Sequence, residues 1–142
     1  MKILVINGPS INMLGIREPD IYGKKSYADL VEYIGEICPG AEVIQSNHEG
    51  AIIDAIHGAF GRFDAIVINP AAYTHTSIAI ADAIKAVGIP AVEVHLTDIS
   101  SREDFRKVSY VSGVCEKTFM GGGFDSYKDA LLYLKGRFAD AD

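Results

Sequence analysis

The chain has 142 residues, of which 49% are hydrophobic, and its 13 basic and 19 acidic side chains give a formal net charge of −6. This length predicts a single domain over residues 1–142 that buries a sizeable core. The acidic balance argues against nucleic-acid partners, because it repels phosphate, and no apolar run reaches the roughly 18 residues of a membrane span.

Apolar runs rich in β-branched residues alternate with amphipathic stretches along the chain. Short continuous apolar runs are typical of strands buried on both faces, and we predict five, at residues 2–7, 41–46, 65–69, 91–95 and 114–120. Apolar residues at helical spacing predict helices at about residues 27–37, 50–60, 77–87, 101–106 and 126–138. In the last helix, Tyr127, Leu131 and Leu134 are expected to face inward.

Repeated strand–helix units predict an α/β fold in which right-handed crossovers connect parallel strands. We expect a flavodoxin-like three-layer sandwich with a five-stranded parallel sheet of order 2-1-3-4-5. Ligands of such sheets bind beyond the carboxyl ends of the strands. Polar residues collect at these predicted ends: Asn7 and Ser10, Asn47 and His48, Asn69, and Glu93 with His95. Function is therefore expected at this edge.

The connection from Gly8 to Lys25 is long, since such loops usually have about 2–6 residues. Its Arg17 and Tyr22 lie five positions apart. A lid that brings charge over a ligand is one interpretation. An exposed loop with an ordinary surface arginine is the other.

Glu93 and His95 lie two apart on one strand and share a face of the sheet. A carboxylate beside an imidazole orients it and suits it to act as a general acid, although a purely structural ion pair fits the same spacing. His75, near a helix start, either contacts a ligand or hydrogen-bonds a loop carbonyl. A metal site is weakly supported, because His75 and His95 lie 20 positions apart.

Arg102 and Arg106 lie four apart on a predicted short helix. They would share a face and clamp a carboxylate, or form a solvated face paired with Glu103. The glycines at residues 121–123 lack a phosphate-loop pattern and predict a tight turn. The two cysteines, Cys38 and Cys115, have no paired spacing and predict reduced thiols in a cytoplasmic protein.

Eight stretches in a fixed order carry a resemblance to a known family: residues 7–9, 14–15, 17–19 with 22–23, 45–50, 69–70 with 74–77, 82–83, 93–95, and 102–103 with 105–106. In these the chain resembles the type II 3-dehydroquinate dehydratases almost end to end. The resemblance implies a flavodoxin-like fold and a lyase that dehydrates 3-dehydroquinate to 3-dehydroshikimate through an enolate, in the shikimate pathway of aromatic amino acid biosynthesis. It also implies no metal, no cofactor and no lysine Schiff base.

The resemblance further implies a role for each matching residue. Tyr22 is the base that removes the proton beside the ketone, and Arg17 favours its phenolate and the enolate. His95, oriented by Glu93, protonates the departing hydroxyl. The implied substrate-binding residues are Ser10, Asn69, His75, Asp82, Leu96, Thr97 and Arg106. Asp82 reaches in from a neighbouring subunit, because the family forms trimers that assemble into dodecamers.

Two of the departures from the family pattern bear most on the site. Ser10 stands where an asparagine usually helps to hold a water near the enolate. Asp98 adds a negative charge near the carboxylate site, unless it points away or pairs with Arg102. A non-catalytic binding protein is therefore one alternative, and quinate breakdown by the same reaction is another. A flavin carrier would need a different loop after the first strand, and a phosphoacceptor would need acids at Asn7 and Asn69.

Overall fold

The protein is described by a computed structural model that covers residues 1–16, 20 and 24–139. Its strands are β1 (Ile3–Asn7), β2 (Glu42–Gln45), β3 (Ala65–Asn69), β4 (Ala91–His95) and β5 (Lys117–Met120). They form one parallel sheet in the order β2-β1-β3-β4-β5. This order confirms the predicted fold class and brings the polar strand ends to one edge.

The main helices are α1 (Tyr27–Ile37), α2 (Glu49–Ala59), α3 (Ile78–Val87) and α4 (Phe124–Ala139). Local chemistry sets where α1 and α3 begin. Ser26 and Asp29 form a capping box at the start of α1, with bonds of 2.9 and 3.1 Å. The Ser77 hydroxyl accepts a bond from Ile80 N at the start of α3, and α3 ends at Gly88 with a φ of 66°.

The sheet lies between two helical layers. Ile3 and Val5 of β1 pack with α1 and α4, whereas Leu4 and Ile6 pack with α2 and α3. Every residue of β1, β3 and β4 is buried, which explains why their sequences are continuous apolar runs. The three residues of α4 predicted to face inward are fully buried: Tyr127, Leu131 and Leu134.

Two predicted elements are corrected by the structure. The last strand begins at Lys117, not at residue 114, because Val114 N and Cys115 N both donate to Val111 O and so cannot join the sheet. The predicted helix at residues 101–106 is two separate 3₁₀ turns, Ile99–Ser101 and Asp104–Arg106. Arg102 and Arg106 therefore do not share a helix face.

The two turns separate because the backbone between them is extended. Asp98 caps the first turn by accepting a bond from Ser100 N at 2.9 Å. Arg102 then has φ −91° and ψ −172°, and Glu103 has φ −57° and ψ 150°. Neither residue has helical dihedrals, so the helical register is lost between the two arginines.

The remaining predictions about the scaffold concern glycines, cysteines and helix length. Gly121 and Gly123 have φ values of 88° and 60° in the tight turn before α4. Cys38 and Cys115 are free thiols. Within the part of the chain that the structure describes, no helix has the length and apolar character needed to cross a membrane.

Candidate active site

A cleft of about 720 Å³, counting space open to solvent, lies at the carboxyl edge of the sheet. Ile11, Leu14 and Ile99 form apolar parts of its wall. It is also lined by seven of the residues predicted to form the site: Ser10, Asn69, His75, His95, Leu96, Thr97 and Arg106.

Glu93 and His95 form a buried pair at this cleft. Glu93 is 0% exposed and His95 is 5% exposed, and His95 Nε2 lies 2.5 Å from Glu93 Oε2. Burial opposes ionisation of Glu93, but hydrogen bonds from His95, Ser109 and Thr118 outweigh it and lower the pKa of the carboxyl group. Because an ionised carboxylate only accepts hydrogen bonds, Nε2 carries a proton. Nδ1 is then the nitrogen that can exchange a proton with a ligand.

His75 both hydrogen-bonds a loop carbonyl and lies at the cleft, the two alternatives that its sequence position left open. Its Nδ1 lies 2.7 Å from the carbonyl oxygen of Val108, and its side chain also lines the cleft. A carbonyl can only accept, so Nδ1 carries the proton in the neutral ring. Nε2 is then an acceptor that suits a ligand hydroxyl.

Asn69 is held by the protein itself. Its Nδ2 donates to Tyr127 Oη at 2.8 Å, and its Oδ1 accepts from Ala71 N at 3.1 Å. Tyr127 in turn donates to Asn7 Oδ1 at 2.6 Å. The bond to Ala71 fixes a residue whose φ is 53°, a left-handed conformation that non-glycine residues rarely adopt. Sequence reasoning assigned Tyr127 to the core and missed its hydroxyl.

Two arginines bring positive charge to one side of the cleft. Arg106 Nε lies 3.0 Å from Glu103 Oε2, and Arg102 Nε lies 3.9 Å from the same oxygen. Arg102 also donates to Thr97 Oγ1 at 3.4 Å. Both residues line the cleft, although Arg102 follows the first 3₁₀ turn and Arg106 ends the second. In a chain of net charge −6, this local cluster suits an anionic ligand.

The two residues that depart from the family pattern behave differently. Ser10 lines the cleft in a left-handed conformation with φ 68°, and its N–H donates to Asn47 Oδ1 at 3.0 Å. The Asp98 carboxylate accepts from the hydroxyl and the N–H of Ser100, which lowers its pKa. Asp98 is not among the described residues that line the cleft. Its charge therefore caps a turn, which weakens the case for a non-catalytic relative.

Three predicted site residues are not brought to the cleft by the described structure. Arg17 and Tyr22, the predicted electrostatic partner and base, lie outside the described residues. Asp82 is exposed on α3 and is absent from the described lining of this chain's own cleft. Among residues 1–16, 20 and 24–139, no group of three or more His, Cys, Asp or Glu side chains could hold a metal ion.

A parallel α/β sheet, a buried carboxylate–histidine pair and two arginines at one cleft favour an enzyme of the acid–base class that acts on a small anionic molecule. Comparison with known proteins specifies which one. The family model described as Dehydroquinase class II matches residues 1–135, and the chain belongs to that family.

Relatives and solved structures agree with this assignment. The 3-dehydroquinate dehydratase of Caldicellulosiruptor bescii is 53% identical over 139 residues, which cover 94% of this chain and 96% of that protein. Catabolic 3-dehydroquinase 1 of Fusarium vanettenii is 50% identical, covering 93% and 94%. The type II dehydroquinase structure from Butyrivibrio crossotus superposes with a TM-score of 0.91 at 50% identity, covering 95% and 97%.

Proposed function

We propose that the protein dehydrates 3-dehydroquinate to 3-dehydroshikimate, with His95 as the general acid and Glu93 as the carboxylate that orients it. One observation carries the assignment of these roles: His95 Nε2 and Glu93 Oε2 lie 2.5 Å apart, buried, at a cleft that two arginines also line. Membership of the dehydroquinase family assigns the reaction itself.

The proposed reaction has two proton transfers. A base removes a proton from the carbon beside the ketone, and the electron pair left behind forms an enolate. The enolate then expels the hydroxyl group on the next carbon while His95 donates a proton to it, so that water leaves and a conjugated double bond forms. Glu93 stabilises the positive charge that His95 carries before this transfer. Tyr22 as the base and Arg17 as its partner remain proposals from the family resemblance.

Substrate groups are assigned to donors and acceptors that the cleft provides. We place the substrate carboxylate on the backbone at Leu96 and Thr97 and on the Thr97 hydroxyl, and another substrate oxygen on Arg106. His75 Nε2 accepts a hydrogen bond from a ring hydroxyl, because Nδ1 already donates to Val108 O. One N–H of Asn69 is used by Tyr127, so the second N–H of that amide contacts a hydroxyl. Ser10 lies where a water would face the enolate.

The assembly we propose is a homododecamer built from trimers. In it, Asp82 completes a neighbouring subunit's site, which its exposure on α3 supports. Ile78 lies one turn earlier on the same helix face and is 58% exposed, as an apolar contact surface requires. Light scattering should give a mass near twelve chains, and a fully active monomer would remove Asp82 from the site.

We further propose a cytoplasmic enzyme of the shikimate pathway that serves aromatic amino acid biosynthesis. Quinate catabolism is the alternative, because relatives named 3-dehydroquinate dehydratase and one named a catabolic 3-dehydroquinase have similar identities of 53% and 50%. Growth of a deletion strain without aromatic amino acids distinguishes the two roles. Failure to grow, restored by this gene, supports the biosynthetic role.

The reaction is tested by ultraviolet detection of the conjugated enone after 3-dehydroquinate is added. The wild-type protein should produce the absorbance, and His95→Gln should lose it. His57→Gln is the matched control, because His57 is exposed at the end of α2. A wild-type protein that leaves the absorbance unchanged would contradict the proposed reaction.

A further inference from the structure

The Glu93 carboxylate is held by three donors, of which sequence reasoning identified one. Ser109 Oγ donates to Oε2 at 2.6 Å, and Thr118 Oγ1 donates to Oε1 at 2.9 Å. His95 Nε2 donates to the same Oε2 as Ser109. Because Glu93 is 0% exposed, bulk water cannot replace a missing donor. Its charge in the folded protein therefore depends on these side chains.

The local backbone fixes the direction of both hydroxyl donors. Ser112 N donates to Ser109 Oγ at 3.2 Å, so an acceptor position of that hydroxyl is filled and its proton points at Glu93. Thr118 is the register partner of Glu93 in the pairing of β4 with β5. Neither hydroxyl can turn away without losing a bond to the carboxylate.

The segment that carries Ser109 also holds the second histidine of the cleft. The carbonyl oxygen of Val108 accepts from His75 Nδ1 at 2.7 Å, and Tyr110 N donates to Thr74 O at 3.0 Å. Adjacent residues of one segment thus hold His75 directly and His95 through Glu93. Such partners determine which ring nitrogen carries the proton.

Among the described residues, the titratable groups that interact with Glu93 are His95 on its own strand and Cys115 before β5. Burial, together with the charge of Glu93, raises the pKa of the Cys115 thiol to about 12. Cys115 therefore stays neutral at physiological pH. A change at Ser109 acts on the Glu93–His95 pair without a competing charge from that thiol.

We propose that Ser109 is a positioning residue. With Thr118, it keeps Glu93 ionised, so that His95 carries a proton on Nε2 and presents Nδ1 to the substrate. This inference rests on the proposed function, in which His95 is the general acid. It extends the site to a loop serine and a β5 threonine that are not among the described residues lining the cleft.

Steady-state kinetics of Ser109→Ala across pH test the inference. A hydrogen bond to a charged group is worth enough to shift a pKa by about one unit, so the acid limb of kcat should move up by about one pH unit. We expect kcat to fall about tenfold with KM little changed. Ser109→Thr should recover most of the activity. Ser112→Ala is the matched control, since its hydroxyl donates to the carbonyl oxygen of Ser109.

Imidazole ¹⁵N NMR adds a readout that does not depend on turnover, with single histidine variants for assignment. The wild type should show His95 protonated on Nε2 and His75 on Nδ1. Ser109→Ala should mix the His95 tautomers and leave His75 unchanged, because Val108 O is a backbone group. If Ser109→Ala matches Ser112→Ala in both the acid limb and the His95 tautomer, the inference is wrong.

The two measurements separate this inference from the proposed function. A wild-type protein that turns over no 3-dehydroquinate, but whose His95 tautomers mix in Ser109→Ala, would refute the proposed reaction and support the positioning role. An active wild type whose Ser109→Ala variant keeps normal kinetics and a single His95 tautomer would support the reaction and refute the positioning role.

Discussion

The carboxyl edge of the sheet holds two clusters of buried side chains, one neutral and one charged. In the neutral cluster, Tyr127 joins Asn7 and Asn69 through bonds of 2.6 and 2.8 Å. In the charged cluster, Glu93 accepts bonds from His95 and from two hydroxyls. Both clusters lie beside one cleft, yet only the second contains an ionised carboxylate paired with a histidine.

The difference follows from what burial does to each group. Burial raises the pKa of the Tyr127 phenol further than the bond from Asn69 lowers it, so the phenol stays neutral and its bonds fix strand ends. For Glu93, hydrogen bonds outweigh burial and the pKa is lowered. At the same edge, the neutral cluster therefore positions the ends of the strands, and the charged cluster keeps the Glu93 carboxylate ionised beside His95.

Replacing His95 should have the largest effect. His95→Gln keeps a donor toward Glu93 but cannot give up a proton, so kcat should fall by about 10²–10⁴-fold, the range of general acid catalysis. The variant should still fold, because the buried carboxylate keeps a partner. His95→Ala removes that partner, and breaking a buried pair costs about 3–5 kcal/mol, so denaturant unfolding should separate the two variants. Near-normal kcat in His95→Gln would refute the assigned role.

Replacing Glu93 with glutamine should remove the negative charge while keeping the size and shape of the side chain. Glu93→Gln should lower kcat by about 10-fold to 10²-fold, because His95 loses the group that stabilises its charged form. The effect on stability depends on pH. The pKa of folded Glu93 lies below the reference value of 4.5. Its ionised form therefore stabilises the protein above pH 4.5, and this is lost as pH falls through the lowered pKa.

The stability of wild type relative to Glu93→Gln should accordingly decrease as the pH falls from above the reference value of 4.5 through the lowered pKa of Glu93. Urea unfolding at several pH values measures this difference. Glu42→Gln, at an exposed carboxylate on β2, is the control. A difference that grows on acidification would show that burial, not hydrogen bonding, dominates at Glu93.

Breaking the neutral cluster should affect stability more than chemistry. Tyr127→Phe leaves Asn7 Oδ1 without this donor and Asn69 Nδ2 without this acceptor, and unpaired buried groups cost about 1–3 kcal/mol. We expect kcat to stay within about threefold. Tyr133→Phe is the matched control, because its hydroxyl bonds to Glu116 at the surface, where changes stay within about 0.5 kcal/mol. A large loss of kcat with normal stability would give the neutral cluster a chemical role.

The smallest effect is expected at Ser10. Asparagine tolerates the left-handed backbone seen there, with φ 68°, better than serine does, so Ser10→Asn should stabilise the fold by less than about 1 kcal/mol. Its longer amide should also hold a water near the enolate more firmly. A lost donor costs about 10²–10³ in rate, and water recovers part of this, so kcat should rise only a fewfold. A clear fall in kcat, measured at one pH, would show that Ser10 suits its own surroundings.

Periodicity predicted the scaffold because burial imposes it. β1, β3 and β4 are buried on both faces, and two-sided burial leaves a continuous apolar run in the sequence. Backbone hydrogen bonds that no side-chain pattern encodes caused the errors. Val114 is β-branched, as strand residues often are, but its N–H donates to Val111 O and not to a neighbouring strand. Arg102 has helical spacing to Arg106, but the backbone between them is extended.

The site was predicted only in part, for a related reason. The spacing of Glu93 and His95 predicts their contact, because alternate strand residues share a face. Ser109 gives no such signal, since it approaches Glu93 from a loop 16 positions away. Similarly, Tyr127 has the pattern of a core residue, and its hydroxyl meets Asn7 across 120 positions. Long-range contacts of this kind depend on how loops and helices pack against the sheet, which local sequence patterns do not show.

In the proposed mechanism, His95 protonates the departing hydroxyl, and another group removes the proton beside the ketone. NMR of 3-dehydroquinate in D₂O with His95→Gln tests this division most directly. Deuterium should enter the substrate at the carbon beside the ketone while almost no 3-dehydroshikimate forms. Formation of product at the wild-type rate, or loss of deuterium uptake together with dehydration, would contradict the account.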